Sequence, residues 1–293
     1  MPEGRVIKTQ NSFFYVKYRT ELISCKLRGR FKKDRENVYT GDMVEFSLLT
    51  PGEGVIERLL PRKNLLHRPA VANIDQVVIE FAVTDPKPHP LLIDRFLIMA
   101  EWSGIPDIVL CFNKCDLTAC SEMEYLLSFY RKIGYTVLEV SAQEKLGLAE
   151  LRKLLAGKET VFAGPSGVGK SSLLNAVDEK LGLQTGTISD KIKRGKHTTR
   201  LACLMPYGED GVIVDTPGFS SLDLTEIPAE DLAGYFPEFA DYLTGCRFRG
   251  CLHSHEPECA LKNAVEQGTV SSERYQSYLR FLQEIKERKN GQW

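Results

Sequence analysis

Thr160-Val161-Phe162-Ala163-Gly164-Pro165-Ser166-Gly167-Val168-Gly169-Lys170-Ser171 passes from an apolar run through a glycine-rich turn into a segment with helical patterning. Gly164 to Ser171 satisfies G-x-x-x-x-G-K-S in full. It has the strand-like run before it and the helix-like run after it that a phosphate-binding loop requires. Glycines there let successive backbone N–H groups turn inward on a phosphate, Lys170 supplies a point charge, and the Ser171 hydroxyl reaches a magnesium ion. The helix that follows presents its positive end to the anion.

Working outward, Asn113-Lys114-Cys115-Asp116 follows the apolar run Ile108 to Phe112, and Asp215-Thr216-Pro217-Gly218 follows Val212 to Val214. A carboxylate at Asp116 accepts from both N1–H and the exocyclic N2–H₂ of guanine, a donor pair that adenine lacks. Asn113 would tie this loop to neighbouring backbone, and the Lys114 stem would cover the base. Ser141-Ala142, at the end of the run Val137 to Val140, fits a last base-contacting loop whose backbone N–H meets guanine O6. Asp215 is placed to hold magnesium through water, and the Gly218 N–H to meet a γ-phosphate. The guanine motif precedes the phosphate loop, and Asp-x-x-Gly comes about fifty residues after it. That order predicts a circularly permuted G domain, with the base-binding half of the sheet threaded first. The chain leaving Asp-x-x-Gly then runs directly into a C-terminal region.

Between these motifs lies Arg194-Gly195-Lys196-His197-Thr198-Thr199-Arg200, which reads as a first switch loop. A threonine here should ligate magnesium in the GTP state; Thr199 is the choice and Thr198 the alternative. The position after Asp-x-x-Gly, where many GTPases carry a water-orienting glutamine, is Phe219. An aromatic ring cannot orient water, so another group must, or intrinsic hydrolysis is slow. His197 is the nearest substitute, against the reading of a solvent-exposed or RNA-contacting histidine.

From about residue 70 onward, apolar runs alternate with helix-length amphipathic segments, the texture of a parallel α/β sheet. Expected strands are Gln76 to Val83, Asp107 to Phe112, Thr136 to Val140, Glu159 to Ala163 and Val212 to Val214. Expected helices are Leu91 to Trp102, Glu122 to Ile133, Gly147 to Leu155 and Lys170 to Val177. Each motif then sits at the carboxyl end of a strand, where open α/β sheets bind ligands. Before this region, Phe13 to Tyr18, Leu22 to Leu27 and Val44 to Leu49 read as short strands of a small β-barrel. The five-stranded oligonucleotide-binding (OB) barrel is the commonest candidate for a basic one. Residues 1 to 68 carry fourteen Lys and Arg against eight Asp and Glu. The excess concentrates in Lys26, Arg28, Arg30, Lys32, Lys33 and Arg35, a solvated loop or a surface for phosphates.

Past residue 225 strand texture vanishes, and Tyr275, Tyr278, Leu279, Leu282 and Ile285 repeat at helical spacing within Ser272 to Lys289. This segment reads as too poor in apolar residues to stand alone without a metal. Cys246, Cys251, His253 and Cys259 give C-x₄-C-x-H-x₅-C, a Cys₃His set suited to a closed tetrahedral zinc site, with His255 a competing fourth ligand. Arg247 and Arg249 would sit on the metal-held loop and face RNA or solvent.

The chain has 293 residues, a formal net charge of −1 and eight cysteines. The composition is that of a globular chain rather than a disordered or fibrous one. Leu91 to Trp102 is broken by Asp94, Arg95 and Glu101, short of the roughly 20 clean apolar residues of a membrane span. Met1 to Gln10 lacks the apolar core of a secretory signal, so a cytoplasmic location with reduced thiols is expected. Nothing in the pattern calls for a dimer, and a monomer is expected.

The constellation resembles the ribosome small-subunit-dependent GTPase A family, circularly permuted GTPases of bacterial ribosome assembly. The motif order, Gly164 to Ser172 read as Gly-Pro-Ser-Gly-Val-Gly-Lys-Ser-Ser, His197-Thr198-Thr199 and the cysteine-histidine cluster carry the resemblance over nearly the whole chain. It implies an OB-fold RNA-binding barrel at 1–68, a GTPase domain at 69–224 and an α-helical zinc-binding domain at 225–293. It favours His253 as the fourth zinc ligand, adds Ser172 to the nucleotide site and implies a catalytic role for His197. Binding to the small ribosomal subunit and its rRNA, low intrinsic GTPase activity stimulated by that subunit, and a role in its late maturation are further implications. Two rivals remain. One is an RNA-binding scaffold that senses GTP and GDP without significant turnover, as Phe219 allows; the other is a P-loop kinase or ATPase, against which Asp116 argues.

Overall fold

The computed structural model describes residues 1–10, 12–29, 37–67, 70–117, 123–183, 203–215 and 223–289. The first element, β1 (Glu3–Gln10), pairs antiparallel with both β2 (Phe13–Tyr18) and β4 (Met43–Thr50). Strand β3 (Glu21–Leu27) lies between β2 and β5 (Glu53–Leu59), and β5 returns to β4, so the ring β1-β2-β3-β5-β4 closes. Each of these five strands is therefore paired on both sides. Alternate residues point inward, and Val6, Val16, Ile23, Cys25, Val44, Phe46 and Ile56 fill the interior with Val38. The pairing order is that of an OB-type barrel.

The short hairpin β6 (Leu65–His67) and β7 (Ala70–Ala72) brackets residue 68 and packs Leu66 and Val71 into the central core. It is tied to the barrel by Ala72 N–H donating to Thr40 O, while Arg62 donates to both oxygens of the fully buried Asp42, at 2.6 and 2.8 Å.

Among the described residues, six strands form the central sheet in the order β10-β9-β8-β11-β13-β12. These are β8 (Gln76–Ala82), β9 (Asp107–Asn113), β10 (Thr136–Glu139), β11 (Glu159–Ala163), β12 (Cys203–Tyr207) and β13 (Gly211–Asp215). All neighbours are parallel except β12 and β13. The strands that come first in sequence occupy one half, and the phosphate-loop strand β11 then enters mid-sheet beside β8. That placement is the circular permutation in physical form. Helices α1 (Pro90–Trp102), α2 (Glu124–Lys132), α3 (Leu148–Leu155) and α4 (Lys170–Val177) connect the strands. Val77, Ile79 and Phe81 of β8 join the core under α1 and α2, while Val78 joins the core with α3 and α4.

Barrel and central sheet are continuous, because β1 bridges β12 at Lys8 and Cys203. Arg5 of β1 also pairs with Glu159 of β11.

Beyond residue 223 the chain forms 3-10 turns at Leu232–Tyr235 and Pro237–Tyr242, then α5 (Ala260–Glu266) and α6 (Ser272–Lys289). Here the structure corrects the sequence expectation of an apolar-poor unit. Leu224, Ile227, Leu232, Phe236, Phe239, Tyr278, Phe281 and Ile285 are wholly buried in one cluster, which Ile98 and Met99 of α1 complete. The unit therefore has an apolar core, shared with α1. Among the described residues, no helix is long and apolar enough to cross a membrane.

Candidate functional site: a guanine-nucleotide cradle and a Cys₃His cluster

Four strand ends bring the cradle together. Gly164 to Gly169 leaves β11 and turns into α4, with Gly164, Gly167 and Gly169 at φ of 139°, 84° and 112°. L side chains rarely adopt such values. A Cβ on Gly164 would lie 2.1 Å from Glu80 O of the adjacent β8, and one on Gly169 would lie 2.6 Å from Asn113 Nδ2. Both positions therefore need glycine for space as well as for φ.

Lys170, at the start of α4, donates from Nζ to Gly164 O at 2.8 Å and to Pro165 O at 2.6 Å. Partial burial lowers its pKa, opposed by the carboxylate of Glu80. The ammonium thus caps its own loop through hydrogen bonds that phosphate oxygens can replace. Pro165, Ser166 and Ser171 are partly or fully open to solvent around it, Val168 is buried beneath, and Ser172 is exposed.

Asn113, 2% exposed, is the hub. Its Nδ2 donates to Glu80 Oε1 at 2.9 Å and to Val168 O at 3.3 Å, while its Oδ1 accepts from Lys114 N at 2.8 Å and Ala142 N at 3.2 Å. Both donors and both acceptor sites of the amide are used. They join β8, the phosphate loop, the guanine loop and the Ser141-Ala142 loop. Of the Ser141-Ala142 loop, in which a backbone N–H is expected at guanine O6, Ala142 N–H donates here to Asn113 and Ser141 N–H to Leu146 O. Lys114, at φ 65°, reaches across from Nζ to Asp85 O at 2.6 Å and Gly167 O at 3.2 Å. Its stem therefore crosses from the guanine loop to the phosphate loop. Cys115 is held by its N–H to Val140 O at 3.1 Å. Asp116 is exposed, and its Oδ1 accepts from the buried Ser141 hydroxyl at 2.5 Å. Ser141 Oγ in turn accepts from Glu144 N at 3.0 Å, which orients the carboxylate.

The backbone of Asp215 ends β13, beside the phosphate-loop strand. His197, Thr198, Thr199, Gly218 and Phe219 lie outside the described residues, as do Arg30, Lys32, Lys33 and Arg35.

The second cluster lies in the C-terminal unit. One ligand atom from each of Cys246, Cys251, His253 and Cys259 falls within 4.8 Å of the others. Cys246 Sγ lies 3.7 Å from Cys259 Sγ, and His253 Nδ1 lies 3.4 and 3.3 Å from those sulfurs. Tetrahedral zinc with ordinary bond lengths of about 2.3 Å to sulfur and about 2.0 Å to nitrogen needs edges of this size. The donor set therefore fits a closed four-ligand ion. His255 is exposed and outside the cluster.

The supporting shell was not anticipated from sequence. Tyr275 and Tyr278 of α6 donate their hydroxyls to His253 O and Leu252 O, each at 2.6 Å. Glu256 accepts from the N–H groups of Leu252, Ser254 and His255. Burial raises its pKa, but these bonds win and hold it at about 2. A glutamate within a cysteine-histidine run was the available signal, and loop wrapping was needed to read it. Glu80 was likewise missed, although it is the single charge in the run Gln76-Val77-Val78-Ile79-Glu80-Phe81-Ala82.

Comparison with known proteins places these features in a family. A family model described as RsgA GTPase matches residues 59–225, and one described as RsgA N-terminal domain matches residues 3–56. The small ribosomal subunit biogenesis GTPase RsgA of Caldanaerobacter subterraneus subsp. tengcongensis is 43% identical over 291 residues, covering 99% of this chain and 98% of that protein. The protein of the same name from Alkaliphilus metalliredigens is 46% identical over 288 residues, covering 98% of each. Among solved structures, YjeQ from Thermotoga maritima superposes with a TM-score of 0.82 at 38% identity, over 97% of this chain and 98% of that one. YloQ, described as a circularly permuted GTPase, gives 0.79 at 38% identity, over 98% and 96%.

Proposed function

The chain belongs to the RsgA GTPase family and is a GTPase, and from that premise we propose that it binds the small ribosomal subunit and acts in its late maturation, with hydrolysis stimulated by that subunit. The observation that carries this reading is the convergence of the phosphate loop, the guanine loop and the Ser141-Ala142 loop on Asn113.

In this reading Asp116 selects guanine, with Asn113, Lys114, Cys115, Ser141 and Ala142 shaping its pocket. Gly164 to Gly169 surround the phosphates with backbone N–H groups, Lys170 exchanges its loop carbonyls for phosphate oxygens, and Ser172 lies on the first turn above them. Ser171, Thr199 and Asp215 are the oxygen donors that suit magnesium, which when bound neutralises charge on the β- and γ-phosphates. Gly218 contacts the γ-phosphate, and His197 orients the attacking water in place of the side chain that Phe219 does not supply.

The segments 1–68, 69–224 and 225–293 act as barrel, GTPase and zinc units. Ribosomal RNA meets the outer two, and the protein works as a cytoplasmic monomer. Support for a basic RNA-facing surface comes from Lys26 over the Phe13 ring and Lys8 over the Tyr15 ring, 5.0 and 5.8 Å from the centroids.

The test is GTP turnover by the purified protein, alone and with small subunits, large subunits and whole ribosomes at fixed salt. Selective stimulation by small subunits, abolished by Lys170→Ala, is expected. Equal slow turnover in every arm, with guanine binding intact, would replace the reading by a nucleotide sensor.

Zinc is the proposed ion of the Cys₃His cluster, at one per chain. A chelator, or the His253→Ala substitution, is expected to lower zinc by mass spectrometry from about one per chain to none. Far-UV circular dichroism should change little, because the aromatic core around Phe236, Phe239 and Tyr278 remains. Loss of the helical signal on chelation would show that the metal, not the core, holds this unit.

A further inference from the structure

Glu80 occupies the face of β8 on which Val78 packs, an apolar surface shared with Val109, Cys111, Phe162 and Leu173 under α3 and α4. It is fully buried, and its Oε2 has no hydrogen-bond partner. Its Oε1 accepts from Asn113 Nδ2 at 2.9 Å, the same nitrogen that donates to Val168 O of the phosphate loop. The carboxyl also lies directly below the first turn of α4, since a Cβ on Gly169 would stand 3.5 Å from Oε1. A helix N-terminus that follows a glycine-rich loop is a binding place for nucleotide phosphates. A buried carboxyl with one oxygen unbonded costs folding energy, and such groups cluster at functional sites.

We propose that Glu80 is a positioning residue that senses phosphate: its carboxyl anchors Asn113 beneath the phosphate loop and takes up a proton on Oε2 as nucleotide phosphates fill the loop from above. The inference rests on the guanine-nucleotide reading of the site. The charged and titratable groups bearing on Glu80 are Lys170 on α4, Lys114 in the guanine loop and the Cys111 thiol alongside it on β9. Burial raises the Glu80 carboxyl to about 7, against the opposing pull of Asn113, Lys170 and Lys114.

Phosphates bound in the loop add like charge near the carboxyl, and they draw Lys170 towards themselves. Both effects raise the carboxyl further in the nucleotide-bound state. Binding therefore takes up a proton. Affinity is greatest below the free-state pKa and falls as pH rises through the bound-state pKa, tenfold for each unit of difference.

The experiment measures GDP affinity with a fluorescent GDP analogue from pH 6.5 to 8.5 at saturating magnesium. In parallel, calorimetry of GDP binding runs in two buffers of different ionisation enthalpy. Wild type and Glu80→Gln are compared, so that titration of the nucleotide itself cancels. Wild-type affinity is expected to fall about tenfold relative to Glu80→Gln across this range. Proton uptake should be present in wild type and absent in the variant. Glu80→Val, which supplies the apolar side chain that the rest of this face carries, is the second variant and should also lose the uptake while binding more weakly, because Asn113 loses its anchor. Coincident pH profiles and equal proton uptake in wild type and either folded variant would overturn the role of Glu80 alone. Absence of saturable GDP binding by wild type at every pH would overturn the nucleotide reading beneath it.

Discussion

An Asp116→Asn protein is expected to lose GTP affinity by about 10²–10⁴ and to gain affinity for xanthosine triphosphate. Two hydrogen bonds from guanine to a charged acceptor are at stake, each worth about 1.5–3 kcal/mol, and the asparagine NH₂ would instead confront the N2 donor of guanine. Xanthine carries an oxygen at that position, which the same NH₂ can satisfy. Geometry supports so large an effect, because the Asp116 carboxylate is oriented by the buried Ser141 hydroxyl at 2.5 Å. Ser141 is itself fixed by Glu144 N–H at 3.0 Å. Competition of GTP and xanthosine triphosphate against a fluorescent nucleotide measures both arms. Unchanged GTP affinity would remove Asp116 from base recognition, and equal loss of both nucleotides would show that the loop, not the base contact, had failed.

Arg274→Ala is expected to cost about 3–5 kcal/mol of stability, the range for breaking a buried ion network from one side. Arg274 of α6 and Asp94 of α1 are each 1% exposed and joined at 2.7 Å. The guanidinium also donates to both Glu238 oxygens, at 2.5 and 3.2 Å, and lies 4.5 Å from the Phe236 ring centroid. Tyr130 of α2 donates its hydroxyl to Asp94 at 2.7 Å. Truncation leaves two carboxylates without their cation, one of them wholly enclosed. Urea unfolding at neutral pH measures the loss. A double substitution Arg274→Met with Asp94→Leu should recover part of it, since the wholly enclosed carboxylate is gone and only the less enclosed Glu238 keeps an unpaired charge. A loss below about 1 kcal/mol for Arg274→Ala would mean that water reaches the carboxylates. The network matters for function because it joins α1, α2, a 3-10 turn and α6, and so fastens the unit that carries the Cys₃His cluster to the helix that leaves β8.

Much of the fold is legible along the chain because its signals are local. The helix Lys170–Val177 and the strand Glu159–Ala163 have the expected bounds. Strands at Gln76–Ala82, Asp107–Asn113 and Thr136–Glu139 differ from expectation by at most one residue at an end. The elements missed have specific causes. In β1, Glu3-Gly4-Arg5-Val6-Ile7-Lys8 interleaves charges with too few apolar groups to stand out, and β5 begins Glu53-Gly54. In β12, Pro206 argues against a strand, yet the residue pairs with Val212. Helix α5 and the 3-10 turns are too short for a 3.6-residue period to register. The richness of the C-terminal core escaped because Ile98 and Met99, which complete it, lie far earlier in the chain.

By itself the sequence determined the order of the nucleotide motifs, hence the permuted threading, and the residue types at the proposed phosphate, guanine and metal positions. These are local properties: a glycine permits a positive φ, a lysine or aspartate brings its charge, and cysteine spacing limits the ligands a loop can gather. Tertiary structure alone decided that β1 closes the barrel by pairing on both sides and then bridges to β12. It also decided that Asn113 satisfies four segments at once, and that Glu80 lies buried beneath the phosphate loop with one oxygen unpaired. These outcomes depend on which distant segments exclude water from one another, a summed non-local burial that no single stretch of the chain contains.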